Sequence, residues 1–534
     1  MSIDQYKYCK GFTMYLYADR FPAGIRMTDY DVCIVGAGAA GIAIARRLIG
    51  SPLRVLLLAS GSSNDRGRPV PAQQAIYKGT HGDFLSKVDP VFSDRSRLHM
   101  YGGTTNHFGF WSRPLDPIDF RSRPGYRDAS WPFDLTELLP YYAAAHHFGH
   151  FGPFNYDDIA YWERVLYAHS FDPQPGDALT GAIMHAQYEE SLHDFQVQFG
   201  PELSAADNVM VLFNAHLIGI NTTPERDKVK GLQCQTIEDG KAGRRFTVGA
   251  KRYVLAMGGI ENVRALRLAA DLGQNAAGHL GRGFHVHPLL TNAARVRFNA
   301  PVATEIRSFF RDQQVRLEPP PIEGGTYRHD SAPLVNPELL FDMCVFNAWG
   351  VLVPTEAVLE AERIGNFRII LRFNPAGDEA VVNLNWEQVP NESSEISVNP
   401  AQTDAVFGQP VAHIDWRMRE EDKRTAVRAL DLCEAYLRER GAVEYEYITD
   451  LSGGAEDWSV PPHPGALATG DHHMGALRMS TDPAAGIVNP DSRMHSVENL
   501  YVAGSAVFPT GGFANSTLTI VALSLRLADH LKSS

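Results

Sequence analysis

Cysteine is scarce in this 534-residue chain: Cys9, Cys33, Cys234, Cys344 and Cys433 are odd in number, scattered, and mostly set in apolar runs. That pattern gives neither a disulfide framework nor zinc-type Cys/His spacing, and it suits a reducing cytoplasm. No stretch approaches the ~18 consecutive apolar residues of a membrane span. Residues 1–27 lack the apolar core and small-residue cleavage site of a secretory leader, so they read as an extension ahead of the first strand. Long runs of one charge are also missing, although 49 Lys and Arg against 62 Asp and Glu leave a net charge of −13. An acidic chain without basic clusters is not expected to bind nucleic acid or an anionic membrane. The sequence has no internal repeat, no low-complexity tract, no GxSxG elbow and no Walker loop.

What is present is ample apolar material, 44% of a chain too long for one core, so two or more domains are expected. The first opens with Asp31-Val32-Cys33-Ile34-Val35, an apolar strand running into Gly36-Ala37-Gly38-Ala39-Ala40-Gly41 and a helix-forming stretch through Leu48. With a second apolar run at Arg54 to Leu58, this predicts a βαβ unit carrying a dinucleotide fingerprint. Gly36, Gly38 and Gly41 then serve the tight turn, the approach of a pyrophosphate and the packing of helix on strand. The second strand ends Leu58-Ala59-Ser60-Gly61, without the carboxylate that usually accepts the ribose hydroxyls, and Ser60 is the polar group nearest that place. From there to Pro132 the chain reads as Gly-, Ser- and Pro-rich loops, long enough to imply a function. Within them Gly102 and Gly103 allow close backbone approach, while Thr105, Asn106 and His107 offer a hydroxyl, an amide and an imidazole to a flat heteroaromatic ring. An ordinary polar loop is the plain alternative.

A second strand, glycine turn and helix follows at Phe246 to Leu255, Gly258-Gly259-Ile260-Glu261-Asn262 and Val263 to Ala270. From Phe298 to Trp416 the pattern changes to alternating runs broken by Pro, Asn, Asp and Gly, the mark of antiparallel strands. Arg417 to Arg440 is an amphipathic helix closed by Gly441. The last seventy residues or so are the most informative. Asp471-His472-His473-Met474-Gly475 precedes Pro509-Thr510-Gly511-Gly512-Phe513-Ala514-Asn515-Ser516-Thr517 by about forty positions. Between and after these, Asn499 to Ala503 reads as a strand, Gly504-Ser505-Ala506 as a turn and Thr517 to Leu531 as a helix. Gly504, Ser505, Ser516 and Thr517 thereby line a strand end and a helix start, a place for an anionic or electron-rich ligand.

Oxidising an alcohol carbon needs a base for the hydroxyl proton, a task that suits the neutral imidazole of His472. Asn515 can hold the substrate oxygen through its amide N–H. A buried, hydrogen-bonded histidine and a helix-capping asparagine are the plain alternatives. His473 is given no role. His285 and His287 alternate on an extended stretch, but no nearby Cys, Asp or Glu completes a metal site, so both read as structural histidines and no metal is expected.

These motifs, in this order over most of the chain from Tyr30 to Leu531, resemble the glucose-methanol-choline (GMC) flavin oxidoreductases. The Gly258-Gly259-x-Glu261-Asn262 turn and the Glu387-Gln388-x-Pro390-Asn391 stretch belong to the same resemblance. It implies an α/β fold with a Rossmann-type FAD-binding domain and an inserted substrate domain built on an antiparallel sheet flanked by helices. The boundaries implied are 28–120, 193–297 and 466–534 for the first, and 121–192 and 298–465 for the second. It further implies FAD as cofactor, His472 as the active-site base and Asn515 at the second catalytic position, which is histidine in some members. The loop through His107 looks like the segment that carries histidyl-linked FAD in pyranose and choline oxidases, and the linkage is left open. Two departures stand out: Ala59 in place of the ribose-binding Glu, and Ser394-Glu395 in place of Ser-Arg.

The activity implied is oxidation of a CH–OH group to a carbonyl, on a sugar, glycoside or related polyol, with hydride passing to the flavin and oxygen or another acceptor reoxidising it. A tailoring oxidase of an aminosugar or other natural-product alcohol is the alternative within that chemistry. A flavin-scaffold lyase, a nicotinamide-dependent dehydrogenase and a non-catalytic nucleotide-binding protein are the rivals outside it. The oligomeric state is open.

Overall fold

The computed structural model describes residues 14–21, 27–62, 71–108, 110–126, 129–166, 176–187, 194–316 and 345–534. Cys33, Cys234 and Cys433 are buried free thiols, whereas Cys9 and Cys344 lie outside the described residues. The fold is mixed α/β, organised on two large sheets and one small one.

Continuous apolar runs set the centre of the first sheet. Residues 32–35 and Val55–Leu58 are buried throughout, as strands covered on both faces must be. Val55–Leu58 pairs in parallel with Met27–Val35 on one side and Val209–Phe213 on the other. Lys241–Leu255 flanks Met27–Val35 and is itself flanked in parallel by Leu500–Val502. Val229–Glu238 and His216–Thr222 extend the sheet in antiparallel fashion. Tyr15–Tyr17, inside the stretch read as an extension, adds a parallel edge strand against Val209–Phe213.

Helix Ala39–Arg47 follows the first strand, and helix Ser516–Ser533 packs on it. Small buried residues, among them Ala40, Ala43 and Ala45, let the two approach. Gly41 permits the turn beneath. A Cβ there would stand 1.9 Å from the Gly36 carbonyl oxygen, and Gly36 itself holds φ +105°.

The stretch from Ala59 to Pro132, read as loops, contains short helices at Pro71–Gln74, Asp83–Val88, Phe92–Arg95, Gly103–Asn106 and Pro117–Phe120. Each is six residues or shorter, too brief to show a helical period in sequence.

The second sheet is antiparallel: Gln313–Arg316, Val345–Pro354, Phe367–Phe373, Glu379–Trp386, Pro288–Phe298 and Ala442–Tyr447 lie side by side. Leu179–Gln187 adds to Val345–Pro354, and Leu467–Thr469 to Pro288–Phe298. Helix Glu420–Glu439 lies against Glu379–Trp386 and buries Ala426, Leu430, Cys433 and Leu437, the face the sequence marks as apolar. Glu395–Thr403, Pro410–Asp415 and Thr80–His81 form the third sheet. A buried ion pair, Arg123 Nη2 to Glu387 Oε1 at 2.7 Å, sits beneath the C-terminal loop, where Glu387 also accepts from the Gly512 N–H. Among the described residues no helix is long and apolar enough to cross a membrane.

Candidate active site

A cavity of about 660 Å³ opens where the parallel strands end. Gly36 after Val35, Ser60 after Leu58, Ala215 after Phe213, Gly258 after Leu255 and Gly504 after Val502 all line it. Ligands of parallel α/β sheets bind at such carboxyl ends, because that is where helix N-termini and turn N–H groups converge.

The glycines on this wall leave the space open. A Cβ on Gly38, Gly258 or Gly504 would meet no atom within 4 Å, although all three line the cavity. Gly103 covers the fingerprint turn so closely that a Cβ on it would lie 3.1 Å from Gly38 Cα, and the Gly102 N–H donates to the Ala37 carbonyl at 2.9 Å. Two polar groups brace this loop, Thr105 on the cavity wall and Asn106 off it. Asn106 Nδ2 donates to the Tyr101 and Gly103 carbonyls, and Thr105 Oγ1 donates to Gly102 O while accepting from Phe195 N. His107 faces the cavity, and burial lowers its pKa. Ser505 and Ser516 also line the wall, with Thr517; the Ser505 hydroxyl donates to the His473 carbonyl at 2.5 Å.

Ala59 withholds a carboxylate, and Ser60 and His216 are among the polar residues on the cavity wall. The His216 ring is edge-on to His99 and tilted against Phe407, and burial drives its pKa well below normal. Its Nδ1 is buried without a hydrogen-bond partner.

The C-terminal block supplies the other end of the cavity. Asn515 is the residue before helix Ser516–Ser533, yet its side chain makes no capping bond. Instead Nδ2 lies 3.2 Å from His472 Nε2. His472 follows strand Leu467–Thr469, and the backbone pairs Pro288 with Thr469 and His285 with Met474. That pairing brings His287 beside it, with the two Nδ1 atoms 2.7 Å apart. Arg368, from strand Phe367–Phe373, donates from Nη1 to Asn515 Oδ1 at 2.7 Å. Burial, then His287 and Arg368, holds the His472 pKa well below normal, and burial with Arg368 takes His287 to about 3. Both rings are neutral at physiological pH.

His473 is buried on the cavity wall with its edge to Phe92. His285 Nδ1 meets the Gly283 carbonyl at 2.9 Å, so it does not share the contact His287 makes. Among the described residues no group of His, Cys, Asp or Glu could hold a metal ion.

Residues 390–524 match the GMC oxidoreductase family model. The chain is 26% identical to paromamine 6'-oxidase of Streptomyces fradiae, over 93% of this chain and 90% of that protein. It is 24% identical to 2-methyl-1,2-propanediol dehydrogenase of Mycolicibacterium austroafricanum, over 94% and 95% respectively. The fold is similar to that of formate oxidase, at TM-score 0.55 and 15% identity, covering 95% of this chain and 99% of that one. The GMC segment includes His472 and Asn515, while His287 and Arg368 come from outside it. Sequence reasoning set His287 aside as structural and gave Arg368 no role, because their contacts are made across 185 and 147 residues.

Proposed function

We propose that this chain is an FAD-dependent oxidoreductase that converts a CH–OH group to a carbonyl, on a sugar, glycoside or related polyol. The observation that carries the reading is the His472 Nε2 to Asn515 Nδ2 approach of 3.2 Å on the wall of a cavity at the carboxyl ends of parallel strands. In this reading the first sheet with its helices is a Rossmann-type FAD-binding domain, and the antiparallel sheet is the floor of an inserted substrate domain.

The residues fit FAD. Gly38, Gly258 and Gly504 leave a cradle that any side chain would fill, the first beside the N-terminus of helix Ala39–Arg47. Gly36, Gly38, Gly103 and Ser505 would hold the dinucleotide, with Ser60 and the unpartnered Nδ1 of His216 taking the place of the missing carboxylate. FAD, when bound, supplies the hydride acceptor. The chain's own residues do the rest. A neutral His472 presents Nε2 to take the hydroxyl proton, and the Asn515 N–H groups hold the oxygen as charge develops on it. Trp111, Phe108 and Phe110 line the same cavity and exclude water. Paromamine 6'-oxidase and 2-methyl-1,2-propanediol dehydrogenase, by name one an oxidase and one a dehydrogenase, support the chemistry and leave the electron acceptor as oxygen or another oxidant. The former also supports a natural-product alcohol as an alternative substrate.

The test is the visible spectrum of the purified protein, before and after acid precipitation, and its bleaching by a panel of sugars and polyols. A flavin band bleached by a polyol, and not bleached in His472→Ala, is the expected result. Colour retained in the pellet would show a covalent linkage and support His107 as its site. A protein that takes up no FAD, or that bleaches equally without His472, would overturn the reading.

A further inference from the structure

Four side chains in the active site form one hydrogen-bonded row whose donors and acceptors admit a single arrangement. The row begins at Arg368, whose guanidinium can only donate. Asn515 Oδ1, at 2.7 Å from Nη1, must therefore be the acceptor, which fixes the orientation of the amide and turns its NH2 group toward His472 Nε2 at 3.2 Å. A group that receives an N–H must offer a lone pair, so Nε2 of neutral His472 is unprotonated and its proton sits on Nδ1. That proton meets His287 Nδ1 at 2.7 Å, so His287 accepts there and carries its own proton on Nε2, which is buried without a hydrogen-bond partner. If any one member is reversed, two donors or two acceptors face each other.

We propose that Arg368 and His287 are positioning residues that hold His472 as its Nδ1–H tautomer, so that its Nε2 lone pair, which accepts from Asn515 in the free protein, passes to the substrate hydroxyl when that oxygen takes over the Asn515 N–H. This rests on the oxidoreductase reading, since it assigns these residues to the base of that reaction.

Arg368 does not line the cavity and is 3% exposed; it lies behind Asn515, over the Trp111 ring at 5.6 Å and against Met184 Sδ. Among the described residues its guanidinium donates to Asn515 and Met184 and to no carboxylate, and burial lowers its pKa to about 9. A cation left unpaired in the interior is costly, so its retention calls for a function. Its charge also opposes a proton on His472, in addition to burial and His287, which keeps the base free in mildly acidic solution. The other titratable groups beside His472 are Asp471, which burial raises to about 6 next to its partner Arg95, and His473, which burial holds neutral.

The experiment pairs imidazole nitrogen NMR with pH profiles. In ¹⁵N-histidine-labelled protein, the His472 signals are assigned by their loss in His472→Gln. The proposal expects a protonated Nδ1 and an unprotonated Nε2 in the unaltered protein. Arg368→Met is expected to mix the two tautomers, to lower kcat about tenfold or more with KM little changed, and to raise the acid limb of kcat by up to roughly one pH unit. Arg368→Lys, which keeps charge and donor, restores the limb and part of kcat. His287→Leu, which removes the acceptor, shifts the tautomer, whereas His287→Asn restores it. An Nε2–H tautomer in the unaltered protein would overturn the proposal, as would a wild-type tautomer and acid limb in Arg368→Met. Should Arg368→Met fail to fold, the NMR of the unaltered protein and the Arg368→Lys profile decide. Failure of the oxidoreductase reading shows separately, as absence of FAD uptake and alcohol oxidation, because the tautomer is read without either.

Discussion

Replacing Gly38 by alanine separates the cradle from the fold. Gly38 has φ −92° and ψ −163°, open to any residue, and an added Cβ meets nothing within 4 Å. The apo protein is therefore expected to fold normally, losing at most about 1 kcal/mol at the start of helix Ala39–Arg47. The methyl group instead enters the space facing the cavity, where the proposed dinucleotide approaches the turn. Overpacking of a close contact costs about 1–3 kcal/mol. At about 1.4 kcal/mol per tenfold, FAD binds roughly 5- to 150-fold more weakly. Titration of apo protein with FAD, followed by quenching of flavin fluorescence, reads the affinity, and thermal melting of the same sample reads the fold. Gly41→Ala is the counterpart: its Cβ would sit 1.9 Å from the Gly36 carbonyl oxygen, with backbone that cannot yield, so this variant is expected to lose the fold itself. An unchanged FAD affinity in Gly38→Ala would show that no ligand approaches this turn. A stable Gly41→Ala would refute the packing on which the argument stands.

Two further outcomes follow from buried charge. Arg123→Met strips Glu387 of its ion-pair partner in the interior, leaving only Tyr126 OH and the backbone N–H groups of Gly512 and Asn366 as donors. A loss of about 3–5 kcal/mol is expected from the shift in urea midpoint, and a loss below about 1 kcal/mol would contradict it. Stability is also expected to fall in acid, because burial drives His185 down to about 3 and holds it neutral in the folded state. The unfolded chain takes up a proton near pH 6.5 that the folded chain refuses, so stability is complete above about 6.5 and declines below it, by about 1.4 kcal/mol per pH unit for each such histidine. His185→Gln, which keeps a donor for the Phe151 carbonyl, is expected to reduce the slope of unfolding free energy between about pH 5 and 6 by one proton's worth; an unchanged slope would count against the assignment.

The motifs legible in sequence are those that a short piece of chain must satisfy by itself. Gly36 and Gly41 announce a turn that no other residue can make, and the buried run Val55–Leu58 can only be an interior strand. The alternation beyond Phe298 likewise foretells antiparallel strands, which Phe367–Phe373 and Glu379–Trp386 form. Less was legible where elements are short. Tyr15–Tyr17 has three residues, too few for a period, and becomes a strand only because Val209–Phe213 offers an unpaired edge. The helices between Pro71 and Phe120 are equally brief.

For the site, the residue types of His472 and Asn515 suggest a base and an oxygen-holding amide, and their spacing along the chain allows them to meet. Sequence could not say that Asn515 leaves its helix uncapped, nor that His216 lines the same cavity as Ser60. Glycine turns, apolar runs and chemical side chains were fixed by local covalent and steric demands, which sequence carries in full. The partners of His472 were decided by tertiary structure alone. His287 reaches it from the start of one antiparallel strand and Arg368 reaches Asn515 from another, and the register of those strands depends on burying one face of each across the whole sheet.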